Sequence, residues 1–290
     1  MSDNSITEVS MLDVYLGREI GLSQAYSLTS ASEPKLILVI GPHDAGKTTF
    51  ISRLFDLFLD GPINDWKFVA SETIVGFEKL LASYRTTSST GRPRPSRTAL
   101  NLDPEILHLC VSKTRSNHSN LLIGNLSGEI FNDLIKSDEA LTSIKYFKQA
   151  DHVSITLDGS KMTNRASRHM EIRNASMFLE RLTKSGLLSD DAVLSIMLFK
   201  ADILNAHTGG QAYIDETLNK IEEEIIKPIS SLNKKMHSKP IQIIAEPFSA
   251  CSGFDSALEV WTKNIPVQAK RSLKVVKSGR AIDKFKAKRK

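Results

Sequence analysis

The stretch Leu36-Ile37-Leu38-Val39-Ile40-Gly41-Pro42-His43-Asp44-Ala45-Gly46-Lys47-Thr48-Thr49 decides the reading of this chain. Residues 41 to 48 satisfy G-x-x-x-x-G-K-[ST] at every fixed position. An apolar run comes directly before them and a helix-compatible stretch, Thr48 to Leu59, directly after. Strand, glycine loop and helix in that order form the context in which such a loop cradles phosphate. Backbone N–H groups and the helix N-terminus supply the anion site. Gly41 and Gly46 let the main chain close round it without a Cβ in the way. Lys47 would reach the β/γ-phosphates, and the Thr48 hydroxyl would hold Mg²⁺. Gly41, Asp44, Ala45, Gly46, Lys47, Thr48 and Thr49 are therefore the candidate cradle residues.

The 290 residues, 41% apolar and 24% charged, suit one large α/β domain or two small ones. No apolar run reaches the length of a membrane span. The acidic, polar N-terminus, with Asp3, Glu8 and Asp13, does not read as a secretory signal. Two distant cysteines, Cys110 and Cys251, make neither a disulfide framework nor a zinc site. These features predict a cytoplasmic protein. The net charge of +5 is unevenly placed: Lys263 to Lys290 carries eleven Lys/Arg against Asp283 alone, a net +10, which leaves −5 for the rest. A basic globular face for nucleic acid is thus not indicated. The tail reads as a disordered cationic end, or as a handle for an acidic partner, RNA or anionic lipid.

Periodicity places the remaining elements. Trp66 to Ala70 reads as a strand and Glu72 to Tyr84 as a helix. Thr86 to Arg97, rich in Ser, Thr, Gly, Pro and Arg, reads as a mobile loop. Ile106 to Ser112 and Asn120 to Ile123 read as paired strands joined by a polar turn, Lys113 to Ser119. Helices follow at Phe131 to Leu141, Asn164 to Ser185, Asp215 to Lys227 (stopped by Pro228) and Ser256 to Lys263, with strands at His152 to Leu157, Ser195 to Phe199 and Ile241 to Ile244. Strands alternating with helices predict an α/β, three-layer P-loop NTPase fold, its mostly parallel sheet covered by helices on both faces. The expected division is an N-terminal extension over 1–33, the P-loop domain over 34–266 and the basic tail over 267–290.

Three further segments carry chemistry, each at a predicted strand end or in a flanking loop, where ligands sit in open α/β sheets. In Asn125-Leu126-Ser127-Gly128-Glu129, Asn125 stands where D-x-x-G has its Mg²⁺-supporting Asp, Gly128 stands where a backbone N–H faces the γ-phosphate, and Glu129 follows where a water-orienting residue belongs. Asn can still bond a metal-bound water but brings no charge. In Phe199-Lys200-Ala201-Asp202, the Lys and Asp of the guanine-reading N-K-x-D are in register while Phe replaces Asn. Asp202 would accept from guanine N1–H and its amine, and the Lys200 stem would cover the base. In the loop from Thr86 to Asn101, Thr98 is a candidate second Mg²⁺ ligand, and Arg92, Arg94 or Arg97 could approach phosphates. His108 and His152, in predicted strands, read as core or rim residues.

With these motifs in order, the chain resembles P-loop GTPases of the class that includes Ras-like and translation GTPases. Within that class it is similar to the double-GTPase-type family of bacterial conflict-system operons. The resemblance spans about Gly21 to Pro266. It is carried by Leu22 to Ser30, the glycine loop, Gly124 to Phe131, Leu157-Asp158-Gly159, Lys200-x-Asp202 and Trp261. It implies GTP and Mg²⁺ binding, slow or partner-regulated hydrolysis, and partner proteins encoded in the same operon. Some translation-type members carry an acid at the position of Asp44, where it helps hold a cation. Lys47, Gly128 and Glu129 become the expected catalytic group, and Thr48, Thr98 and Asn125 the metal set. The competing readings are an ATPase or small-molecule kinase, for which no acceptor motif is visible, and a nucleotide-bound scaffold without turnover, which Asn125 favours over a fast GTPase.

Overall fold

Leu36 to Ile40 are buried on both sides because β1 (Lys35–Ile40) lies inside the sheet. Leu36, Leu38 and Ile40 face one apolar cluster, and Ile37 and Val39 face the other. An unbroken apolar run is what a strand covered on both faces requires. The computed structural model describes Gly21 and residues 34–88, 105–114, 117–233 and 235–263. The rest of the N-terminal extension, Thr98 with Arg92, Arg94 and Arg97, and the basic tail lie outside these residues.

The other strands are β2 (Lys67–Ala70), β3 (Glu105–Thr114), β4 (Asn117–Asn125), β5 (His152–Asp158), β6 (Val193–Phe199) and β7 (Ile241–Gln242). Their order across the sheet is β2-β3-β4-β1-β5-β6-β7. All neighbours from β4 to β7 run parallel, while β2–β3 and β3–β4 are antiparallel. The chain first builds the β4 side of β1 and then crosses to β5, so β1 lies at the switch point and the ends of β1, β4, β5 and β6 share one rim.

One face of the sheet is covered by α1 (Lys47–Asp60), α2 (Ile74–Ser88) and α10 (Phe254–Thr262). On α1, Phe50, Ile51, Leu54, Phe55 and Phe58 recur at helical spacing and are buried against Ile37 and Val39. The opposite face is covered by α3 (Gly128–Lys136), α4 (Asp138–Ser143), α6 (Arg165–Lys184) and α8 (Gly210–Ile221). Short α5 (Gly159–Met162) and α7 (Ala201–Asn205) follow β5 and β6, and α9 (Lys227–Leu232) extends the α8 rod. This is the expected three-layer α/β arrangement. Among the described residues no helix is long and apolar enough to cross a membrane.

Several boundaries differ from expectation for identifiable reasons. The helix read over Phe131 to Leu141 is two helices, because Ser137 is extended and its hydroxyl accepts from Ala140 N at 3.2 Å, capping α4. The polar turn Lys113 to Ser119 is mostly strand: Ser112 pairs with His118 and Val111 with Ser119, so ladder pairing overrides composition. Thr86 belongs to the last turns of α2, not to the loop. The last strand is shorter than the apolar run, and only Ile241 and Gln242 pair. Pro228 does not stop its helix. A π-turn over Glu222–Ile226 precedes it, and the Glu224 carbonyl, four residues before the proline, accepts instead from Ser176 Oγ at 3.0 Å.

β5 buries a polar file. Trp261 Nε1 donates to Ser154 Oγ at 3.0 Å, and Ser154 Oγ lies 3.0 Å from Ser195 Oγ. His152 is fully buried, and neither ring nitrogen has a hydrogen-bond partner among the described residues. Burial pushes its pKa down to about 3, with Lys35 adding to the shift. The imidazole is therefore neutral in the fold above about pH 3 and becomes charged on unfolding only below about pH 6.5. The unfolded chain binds the extra proton between about pH 6.5 and 3, so stability falls as pH falls through that window, by about 1.4 kcal/mol per unit. His152→Leu is expected to flatten the acid limb of unfolding followed by circular dichroism. An unchanged limb would assign acid sensitivity elsewhere. His108 is structural as well: Nδ1 accepts from Glu72 N at 2.9 Å, so Nε2 carries the proton toward Asn120 Oδ1, also at 2.9 Å.

Candidate functional site

The loop after β1 is shaped by contacts that exclude side chains. A Cβ on Gly41 would stand 2.0 Å from Thr156 Oγ1 and 2.8 Å from Thr156 O, so β5 closes against the loop there. Gly46 has φ +103, a left-handed conformation that suits glycine, and it begins α1. Asp44 adopts φ +61 without being glycine, and its exposed carboxylate lies 3.1 Å from His43 Nδ1. Ala45 is buried and Thr49 half-buried. Sequence reasoning missed Thr156, whose strand position alone carried no signal.

Lys47 is buried, at 7% exposure, and its ammonium turns back on the loop. Nζ donates to Gly41 O at 2.9 Å and to Pro42 O at 2.8 Å. Desolvation lowers its pKa to about 8, opposed by the charges of Asp44 and Glu171 and reinforced by Lys161. A buried cation held mainly by neutral carbonyls of the glycine loop is suited to an incoming anion.

The predicted metal residues Thr48 and Asn125 meet. Asn125 is buried at the end of β4, and its Nδ2 donates to Thr48 Oγ1 at 3.1 Å. Together they offer oxygen donors that suit a hard cation, but neither brings a charge. Gly128 starts α3 directly on the loop: a Cβ there would lie 2.4 Å from His43 N, 2.5 Å from His43 Cα and 2.7 Å from the Pro42 carbonyl carbon. Ser127 caps that helix by accepting from Glu129 N at 3.4 Å, and the Glu129 side chain is exposed. The expected catalytic group is thus split. Lys47 and Gly128 lie at the loop, whereas the Glu129 side chain contacts no described residue through a hydrogen bond or ion pair.

Lys200 closes the rim from the β6 side. Its Nζ donates to Asp44 O at 2.7 Å and to Asp158 Oδ2 at 2.8 Å. Asp202 stands half-buried in the first turn of α7, its carboxylate without a protein partner among the described residues. Phe199 ends β6 directly before Lys200. It is buried under Gly46, with Cδ2 3.5 Å from a Cβ built there, and it stacks on Phe50 with centroids 5.2 Å apart. Phe50 in turn stacks on Phe254 and meets the edge of Trp261. Phe199 therefore supports the loop at Gly46 by apolar packing. Behind the rim, Glu171 of α6 accepts from Asp158 N at 3.3 Å and from Lys161 Nζ at 3.4 Å, and burial raises its pKa. Nothing in the spacing of the sequence pointed to Glu171.

The candidate site is therefore a glycine loop at the switch point of a mostly parallel sheet, with Thr48 and Asn125 on one side and Lys200 and Asp202 on the other. The comparison with curated proteins returned no match. The Double-GTPase 2 family model matches residues 35–253, which contain the loop, Asn125 to Glu129, and Lys200 to Asp202. On this geometry and that match, the chain belongs to the Double-GTPase 2 family and is a GTP-binding P-loop protein.

Proposed function

We propose that this protein is a slow, partner-regulated GTPase switch that works on Mg·GTP. The observation that carries the reading is Lys47, buried in the glycine loop and turned on the loop's own carbonyls. On binding, its ammonium leaves Gly41 O and Pro42 O for the phosphates and stabilises charge that develops during in-line attack by water. Magnesium, held near Thr48 and Asn125 with Thr98 as a further candidate, would supply the remaining positive charge. Gly128 would present its N–H to the γ-phosphate. Asp44, Ala45, Gly46 and Thr49 would complete the cradle. Slowness follows from the neutral Asn125 in place of a carboxylate and from Glu129, whose like charge opposes a γ-phosphate. Both supports would then come from a partner, which could also supply an arginine. We place that partner, a protein encoded nearby, in the cytoplasm, with the basic tail as a handle for an acidic partner, RNA or anionic lipid.

Asn125 favours one alternative, a scaffold that holds GTP without turning it over. Releasing and identifying the copurified nucleotide, then timing its hydrolysis, separates the two. Base reading has its own test. Asp202→Asn is expected to cut the preference for GTP over ATP by about ten- to a hundred-fold, the worth of charge-assisted hydrogen bonds. Equal GTP:ATP affinity ratios in the variant and the parent would remove Asp202 as reader.

A further inference from the structure

Asp158 has no place in the chemistry so far, yet it is among the most constrained side chains of the rim. It ends β5, its side chain is 3% exposed, and both oxygens are engaged. Oδ1 accepts from Ser160 N at 2.9 Å and from Ser160 Oγ at 2.6 Å, which caps α5. Oδ2 accepts from Lys200 Nζ at 2.8 Å. The same ammonium donates to Asp44 O at 2.7 Å, so one lysine ties a buried carboxylate to the glycine loop.

Two features argue that this tie holds strain. Asp44 (φ +61) and Lys200 (φ +53) are two of the three non-glycine residues with left-handed backbones among the described residues, and a single hydrogen bond joins them. Such conformations persist only where the surroundings over-determine them. The backbones beneath also interlock: a Cβ on Gly159 would lie 2.4 Å from Lys200 O and 2.6 Å from Phe199 O. The β5 and β6 ends are thus fitted together as one piece under the loop.

We infer that Asp158 is a positioning residue for nucleotide binding, clamping Lys200 so that its stem stands over the base site and its ammonium braces the loop at Asp44. The inference rests on the reading of this rim as the nucleotide site and deepens it by naming what fixes the base-side lysine. The clamp acts on the base side and on the loop, not at the γ-phosphate. It therefore supports GTP and GDP equally.

The two oxygens allow the clamp to be separated from the helix cap. Asp158→Asn keeps an acceptor for Ser160, since Asn caps as well as Asp, but turns an NH₂ group toward the lysine. Asp158→Ser likewise keeps a cap and removes the partner of Lys200. Either variant should lower the melting temperature of the nucleotide-free protein, since the buried carboxylate's ion pair is lost, so affinities are compared on folded protein. The affinities for GTP and GDP, measured by fluorescent-analogue competition, should both fall about ten-fold or more, with faster dissociation. In a Lys200→Met background, Asp158→Asn should have almost no further effect, because the two act as one unit. Parent-like affinity in both Asp158 variants, or losses that multiply independently of Lys200→Met, would overturn the inference. Loss of melting temperature in both variants, with affinities unchanged in the folded fraction, would reduce Asp158 to a cap. A parent protein that binds neither GTP nor GDP would instead sink the nucleotide reading itself.

Discussion

Lys47→Ala is expected to abolish measurable GTP binding, a loss of at least about a hundred-fold on the scale of two charge-assisted hydrogen bonds. The reason is particular to this site. In the free protein the ammonium is buried on Gly41 O and Pro42 O, so its desolvation cost is already present before the ligand arrives. A triphosphate returns full electrostatic value for that cost. The buried ammonium also carries a pH signature. With its free-state pKa lowered to about 8, Lys47 is charged below that value and loses its proton above it. Phosphates raise the pKa in the complex. Binding should therefore be insensitive to pH below about 8, weaken by at most about ten-fold per unit above it, and take up a proton in that range. Calorimetry in buffers of different ionisation enthalpy reads this uptake directly. Lys47→Ala should remove both the affinity and the uptake. Parent-like calorimetric binding by the variant would remove the loop from the account.

The fold was legible because its decisive residues are local. Leu36 to Thr48 contain strand, turn and helix start within a few residues, and the buried alternation of Leu36 and Ile37 needed only their types. That the candidate motifs meet was legible for the same reason, since each sits at the end of a strand and the sheet brings the ends together. What escaped is what depends on distant backbone. Thr156 matters because it touches Gly41 across a strand pair, and Glu171 because α6 passes behind Asp158. Phe199 reads as a missing Asn in the sequence, but the fold makes it the apolar support of Gly46. The break at Ser137 and the passage through Pro228 were set by a cap and a π-turn, which hydrophobic spacing does not encode.

Gly128→Ala is the second large effect, and it separates a sensor from a spacer. The glycine is required by space, because the atoms its Cβ would strike belong to the loop backbone at Pro42 and His43. A backbone cannot swing aside as a long side chain can. Nor can the helix retreat easily: Ile130, Phe131, Leu134 and Ile135 of α3 are buried in the core. The methyl group must therefore push α3 and the loop apart at the point where Gly128 N–H would meet a γ-phosphate. If that N–H contributes as a preorganised donor, GTP turnover should fall by about two orders of magnitude or more while GDP binding changes little. In a protein that holds GTP without hydrolysing it, the same variant should lower the GTP:GDP affinity ratio. If Gly128 only fills space, the distorted loop should bind GTP and GDP less well by the same factor, with their ratio and the per-site turnover preserved. That result would leave the protein a nucleotide binder without a γ-phosphate sensor at α3.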